Sequence, residues 1–141
     1  MNFLGAADAL KDIVADVPNV KVAVIGINQS WPSTPAVEVI PVGFDLNTIA
    51  AGNLDQDANG VIYIAVYVAM TANLEDDERL LLPIVEGVID ALRDSSLDRT
   101  LGGLVEDVRP TRVEFDVVKR NGRSYRSALV QLVVGDLTSA I

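Results

Sequence analysis

Four groups of residues in this chain have the types and spacing to do chemistry. Asp55-Gln56-Asp57-Ala58-Asn59-Gly60 places oxygens at alternate positions before a glycine, as the opening of a calcium loop does. The twelfth position of such a loop would be Val66 and not a bidentate glutamate, so an ordinary Asp/Asn/Gly turn is the better reading. Glu75, Asp76, Asp77 and Glu78 could pair carboxylates for acid–base work, yet a helix N-terminus explains their sign and crowding without catalysis. Trp31, Tyr63 and Tyr67 could stack a ligand. A single Trp beside Pro32 reads better as a loop anchor or an interface residue. Lys119, Arg120, Arg123 and Arg126 could grip phosphate, although an acidic protein partner or plain solvation suits them better. These aromatic and basic residues are the candidate interface positions.

Composition narrows the chemistry further. The chain has no histidine and no cysteine, so the commonest general base, the commonest metal ligand and any thiolate site are missing. It shows no phosphate-binding loop, dinucleotide fingerprint or nucleophile elbow. Neither a catalytic residue, a metal site nor a cofactor site is expected. The net charge of −9 argues against nucleic-acid binding and against anionic membranes. The longest apolar run, residues 61–72, falls well short of the about twenty residues that a membrane span needs. Residues 1–15 are interrupted by Asp8, Lys11 and Asp12, so they do not read as a signal peptide, and a cytosolic product is expected. The 141 residues are expected to form one domain with a Val/Ile/Leu/Ala core.

The elements that must position these residues follow from periodicity. Phe3, Leu4, Ala7, Leu10, Ile13 and Val14 recur at helical spacing, with Asn2 as N-cap and Pro18 as a stop. Residues 20–27 form a β-branched strand. After a Pro/Ser-rich loop at 28–35, residues 36–42 read as a second strand antiparallel to the first, with Pro41 marking an edge or an end. Residues 43–60 read as a long irregular loop. Residues 61–70 form a strand apolar on both faces: Ile62, Ile64, Val66, Val68 and Met70 on one, Val61, Tyr63, Ala65, Tyr67 and Ala69 on the other. Both faces should therefore be covered, one of them by another subunit.

A second helix lies within residues 75–93, with the stripe Leu81, Ile84 or Val85, Val88 and Leu92 and an awkward Pro83. Gly102-Gly103 breaks the chain before a terminal hairpin. Asn121-Gly122 sets its two-residue turn, which puts Phe115 opposite Ala128 and Val113 opposite Val130 on an apolar face. Arg112, Glu114 and Asp116 then oppose Gln131, Leu129 and Ser127 on a mixed face. Phe115 should be buried with Val130 under the Leu81–Val88–Leu92 stripe, so Phe115→Ala should cost about 3–5 kcal/mol. The fold class is α+β, a mostly antiparallel sheet of four to five strands with two main helices on one face.

The order of elements, together with Gly87-Val88-Ile89-Asp90-Ala91-Leu92-Arg93, Thr100-Leu101-Gly102-Gly103-Leu104-Val105-Glu106-Asp107-Val108 and the hairpin 113–118 to 128–134, resembles the tail terminator proteins of long-tailed bacteriophages, most of all those of actinobacteriophages. The resemblance implies a structural protein without an active site. Such proteins form a six-fold ring that caps the finished tail tube, stops its polymerisation and offers the surface that joins the head. It implies as partners further copies of the chain, the tail tube protein and a head-completion or neck protein, with DNA passing through the ring unbound. It implies a place at the tail–neck junction of a virion made in the host cytoplasm. The alternatives are another neck component, such as a head-completion or stopper protein, and a small ligand-binding module.

Overall fold

The computed structural model describes residues 2–28, 31, 33–48, 56–94 and 97–138. Helix α1 spans Phe3–Ala15. Asn2 caps it as expected, its side-chain oxygen accepting from the Gly5 N–H at 2.7 Å. Its buried side is Ala6, Ala7, Leu10 and Val14. Phe3 and Leu4, expected on that stripe, are exposed. They lie in the first turn, where Phe3 meets only the Phe44 ring, at 4.9 Å.

Five strands follow with one more helix: β1 Val22–Ile25, β2 Ala36–Thr48, β3 Gln56–Ala69, α2 Leu74–Arg93, β4 Asp107–Arg120 and β5 Arg123–Thr138. They make a single sheet in the order β1-β2-β3-β5-β4. Every neighbouring pair but β1–β2 is antiparallel. The fold is α+β, with both helices on one face. There Leu10 and Val14 of α1 and the stripe Leu81, Ile84, Val85, Val88 and Leu92 of α2 pack on Val37, Val39, Ile62, Ile64, Val66, Val130 and Leu132. Burying side chains of this kind contributes about 1.5–3 kcal/mol each. Asn73 caps α2 through the Glu75 and Asp76 N–H groups, and the acidic first turn sits at the positive end of the helix dipole. Pro83 falls inside the helix on its exposed side. Between α2 and β4 the Asp98 carboxylate accepts from the Thr100 hydroxyl and N–H and from the Gly102 N–H, and these bonds hold its pKa below the ordinary value.

The β4–β5 hairpin has the expected register from its turn to Arg112, beyond which a bulge beside Pro110 shifts it: Phe115 opposes Ala128, Val113 opposes Val130, and Arg112, Glu114 and Asp116 oppose Gln131, Leu129 and Ser127. Asn121 and Gly122 have φ of 52° and 77°, the left-handed pair a type I′ turn requires.

Four expectations are corrected. First, β1 and β2 are parallel, not antiparallel. Val22–Ile25 pair in register with Ala36–Val39, and Trp31, in the connection between them, is buried. Second, residues 43–60 are not an irregular loop. β2 and β3 stay paired out to Thr48 and Gln56, with bulges beside Pro41 and Gly60. Gly60 is required there, because a Cβ would strike the Gly43 carbonyl and the Phe44 ring. The calcium reading falls with the loop, since residues 56–60 are extended and laddered and not coiled around an ion; Asp55 lies outside the described residues.

Third, the second apolar face of β3 is covered in part by its own chain: Ala65 and Tyr67 lie beneath Trp31. Fourth, Phe115 occupies the expected face but is 44% exposed: it lies outside the core cluster, under the Arg126 guanidinium and not under the Leu81–Val88–Leu92 stripe. Phe115→Ala should therefore lower stability by only about 1 kcal/mol or less in a denaturant melt, as surface changes do. A loss as large as a core truncation would show that the ring is covered in solution.

Candidate functional site

The face of the sheet opposite the helices carries the residues singled out from sequence. Trp31, from the 26–35 connection, stacks on Tyr67 of β3 at 4.3 Å and 28° and meets Tyr125 of β5 edge-on at 4.7 Å. Arg120, at the end of β4, lies over both Tyr67 and Trp31, at 4.6 and 5.0 Å from their ring centres. Its Nη2 donates to the Tyr67 hydroxyl at 2.6 Å. Its Nη1 donates to Glu38 Oε1 at 3.0 Å and to the Asn28 carbonyl at 2.8 Å. Glu38 of β2 is fully buried, and its Oε2 accepts from the Asn28 N–H at 2.6 Å.

One guanidinium thus joins β4, β3, β2 and the connection from β1. Burial, and then the charge of Glu38, push the Tyr67 hydroxyl well above the ordinary tyrosine range, while Arg120 pulls the other way. In the unfolded chain this phenol ionises at its ordinary value of 10.0, so its contribution to stability is full below that pH and declines as pH rises through it. An alkaline titration should find the Tyr67 phenol silent in phenolate absorbance until near-UV circular dichroism collapses, a late step that Tyr67→Phe removes. A Tyr67→Phe variant that loses phenolate absorbance while the protein is still folded would refute this.

Beside this knot is an open hollow of about 430 Å³, walled by Ile27, Ile40, Val42, Tyr63, Val118 and Leu129. Its lining is mainly apolar, with Asp116, Arg120 and Ser127 contributing polar groups. On the helix-bearing face, a smaller notch of about 240 Å³ lies between Met70, Leu74 and Val117. Arg126 walls it, ion-paired with Glu78 of α2, set over the Phe115 ring at 5.7 Å, and donating to the Asp116 carbonyl at 3.1 Å.

The candidate interface positions therefore divide. Trp31 and Tyr67 are buried, and Arg120 and Arg126 are held in ion pairs within the chain. Tyr63 is half-buried at the hollow, while Lys119 and Arg123 are exposed at the hairpin tip. The basic tip read as one cluster is two structural ties plus two exposed cations with no ion pair among the described residues. Sequence reasoning missed Glu38. An acid inside a β-branched strand is a signal for a buried partner, but nothing local names Arg120, 82 residues away. It also missed Asp77, buried while accepting from the Thr71 N–H and hydroxyl, which ties the turn before α2 to its first turn. Among the described residues, no cluster of acidic side chains gathers that could hold a metal.

No protein-family model matches this chain, and no curated protein matches it. Among solved structures, a chain from the virion of a native gene transfer agent particle is similar at 17% identity, over 90% of this chain and 84% of that one, with a TM-score of 0.49. A second solved chain is 20% identical, over 97% of this chain and 92% of that one, with a TM-score of 0.45. Likeness at this level carries no argument about what the protein does.

Proposed function

We propose that this chain is a structural assembly protein of a long-tailed bacteriophage, the subunit of a ring that caps the tail tube and presents the joining surface for the head. The observation that supports this reading is a sheet built to be extended. β4, 14 residues long, is an edge strand with no partner on its outer side among the described residues, and it exposes Phe115 and Val117. An open edge strand that exposes two large apolar side chains among charged ones offers a contact surface to an assembly subunit. The resemblance of residues 87–93, 100–108 and the hairpin to tail terminators supplies the particular ring and its six-fold number. A chain with neither histidine nor cysteine, whose buried charges tie loops to strands, suits a scaffold better than a catalyst. Its net charge of −9 suits a ring that DNA crosses without sticking.

Images of intact virions test the reading. A six-fold density for this protein is expected at the head–tail junction; its absence there, or another symmetry, refutes it. Binding to isolated tail tubes is expected in preference to tail-less heads. The reverse preference would make the chain a head-completion or stopper protein instead.

A further inference from the structure

The hairpin tip carries chemistry directed at the chain itself. Asn-Gly occurs twice in the sequence, at Asn59-Gly60 and at Asn121-Gly122. In this dipeptide the glycine nitrogen, unshielded by a side chain of its own, can attack the carboxamide carbon of the residue before it. Every other asparagine precedes a larger residue: Phe, Val, Gln, Thr or Leu.

The fold separates the two copies. Gly60 is clamped in β3, the central strand, with Phe44 opposite on one side and Val134 on the other. The Gly43 carbonyl and the Phe44 ring close over it so tightly that a Cβ would strike them. A backbone held there cannot swing its nitrogen toward the Asn59 side chain without opening the sheet. Asn121 and Gly122 are exposed and lie outside the ladder, which ends at Arg120 and Arg123. Among the described residues no hydrogen bond engages the Asn121 carboxamide or the Gly122 N–H, and a Cβ on Gly122 would meet open space. Lys119, Arg120 and Arg123 stand within two residues of Asn121. Cations so placed favour a deprotonated amide nitrogen and the oxyanion that forms when it adds to the carboxamide.

We infer that Asn121 is a site of spontaneous covalent modification in the folded chain, deamidating through a succinimide. The Gly122 nitrogen gives its proton to solvent and bonds to the Asn121 Cγ, and the carboxamide nitrogen leaves with that proton's equivalent as ammonia. Water then opens the five-membered imide at either carbonyl. The product is aspartate or, where the backbone now runs through the former side chain, isoaspartate. The net reaction consumes one water and releases one ammonia, without oxidation or reduction. Either product sets a new carboxylate beside Arg120, whose guanidinium ties Glu38, Tyr67 and the Asn28 carbonyl. Isoaspartate also lengthens the backbone of the two-residue turn that sets the hairpin register. The modification therefore loosens the hairpin tip first. It does not depend on the assembly reading above.

The test incubates the folded full chain in warm, mildly alkaline buffer and follows each asparagine by peptide mass spectrometry. The Asn121 peptide is expected to gain the mass difference between a carboxylate and a carboxamide at least roughly tenfold faster than the Asn59 peptide, the factor that about 1.4 kcal/mol of barrier gives. In urea the two should convert alike. Equal conversion of both sites in the folded chain, or none at Asn121 in the time that the unfolded chain converts, overturns the proposal. Asn121→Gly, which keeps a residue at ease with positive φ, should fold and abolish the tip product. Lys119→Gln with Arg123→Gln should slow conversion at Asn121 by roughly twofold to fivefold, the scale of exposed charge interactions; an unchanged rate overturns the part given to the cations. In the converted fraction, amide exchange at Val118 and Lys119 should accelerate while β3 stays protected, and acceleration that is uniform or absent overturns the loosening of the tip.

Discussion

Arg120→Ala is expected to lower the unfolding free energy by about 3–5 kcal/mol, because it strands the Glu38 carboxylate in a site with no access to water. Glu38 would keep only uncharged donors, the Asn28 N–H and the Tyr67 hydroxyl, and the Asn28 carbonyl and the Tyr67 hydroxyl would each lose the guanidinium. The comparison that isolates the cause is Glu38→Met combined with Arg120→Met. Removing both charges at similar volume should recover part of the loss, since a buried pair does little net work compared with a packed apolar substitute. Urea melts followed by circular dichroism check this. A loss below about 1 kcal/mol for Arg120→Ala would show that water reaches Glu38 in solution.

Trp31→Ala should be of the same size, about 3–5 kcal/mol, by the measure of other aromatic truncations in well-packed sites. The side chain is 4% exposed, stacks on Tyr67, meets Tyr125 edge-on and forms half of the cation–π floor for Arg120. The damage should also have a place. Without Trp31 the 26–35 connection loses its anchor on the sheet, and β1, only four residues long and paired on one side, depends on that connection for its parallel seating. Amide hydrogen exchange at Val22–Ile25 should accelerate well before that of β3 and β5. Uniform acceleration across the sheet would mean that Trp31 supports the whole core and not the loop. Trp31→Phe, which keeps the aromatic packing, should retain most of the stability. The melt must be followed by circular dichroism, because Trp31 is the only tryptophan of the chain.

Local chemistry was legible in the sequence wherever a feature is decided by neighbours along the chain. Asn121-Gly122 sets a two-residue turn, and a period of two then carries the register from Arg120 back to Arg112, where a bulge beside Pro110 shifts it by one residue. The α2 stripe, its acidic first turn and the Asn2 cap follow from helical spacing and from orphan N–H groups in the same way. These fix the α+β class, because two apolar stripes and several two-sided strands leave few ways to bury their surfaces.

The sequence alone did not show how far each face is covered or which distant groups meet. Phe115 was assigned to the right face, yet its burial depends on where α2 ends above the sheet. Residues 43–60 look like turn material by composition, but pairing of β2 with β3 overrides propensity, since each strand satisfies the other's backbone groups out to Thr48 and Gln56. The parallel direction of β1 is likewise visible only in three dimensions, where Trp31 of the connection meets Tyr67, Tyr125 and Arg120. Those partners come from three strands and are brought together only when the sheet forms. That is why the aromatic and basic residues that looked most like a free interface include the ties of the fold, and why the open edge of β4, which no sequence period marks as unpaired, became visible only in the tertiary structure.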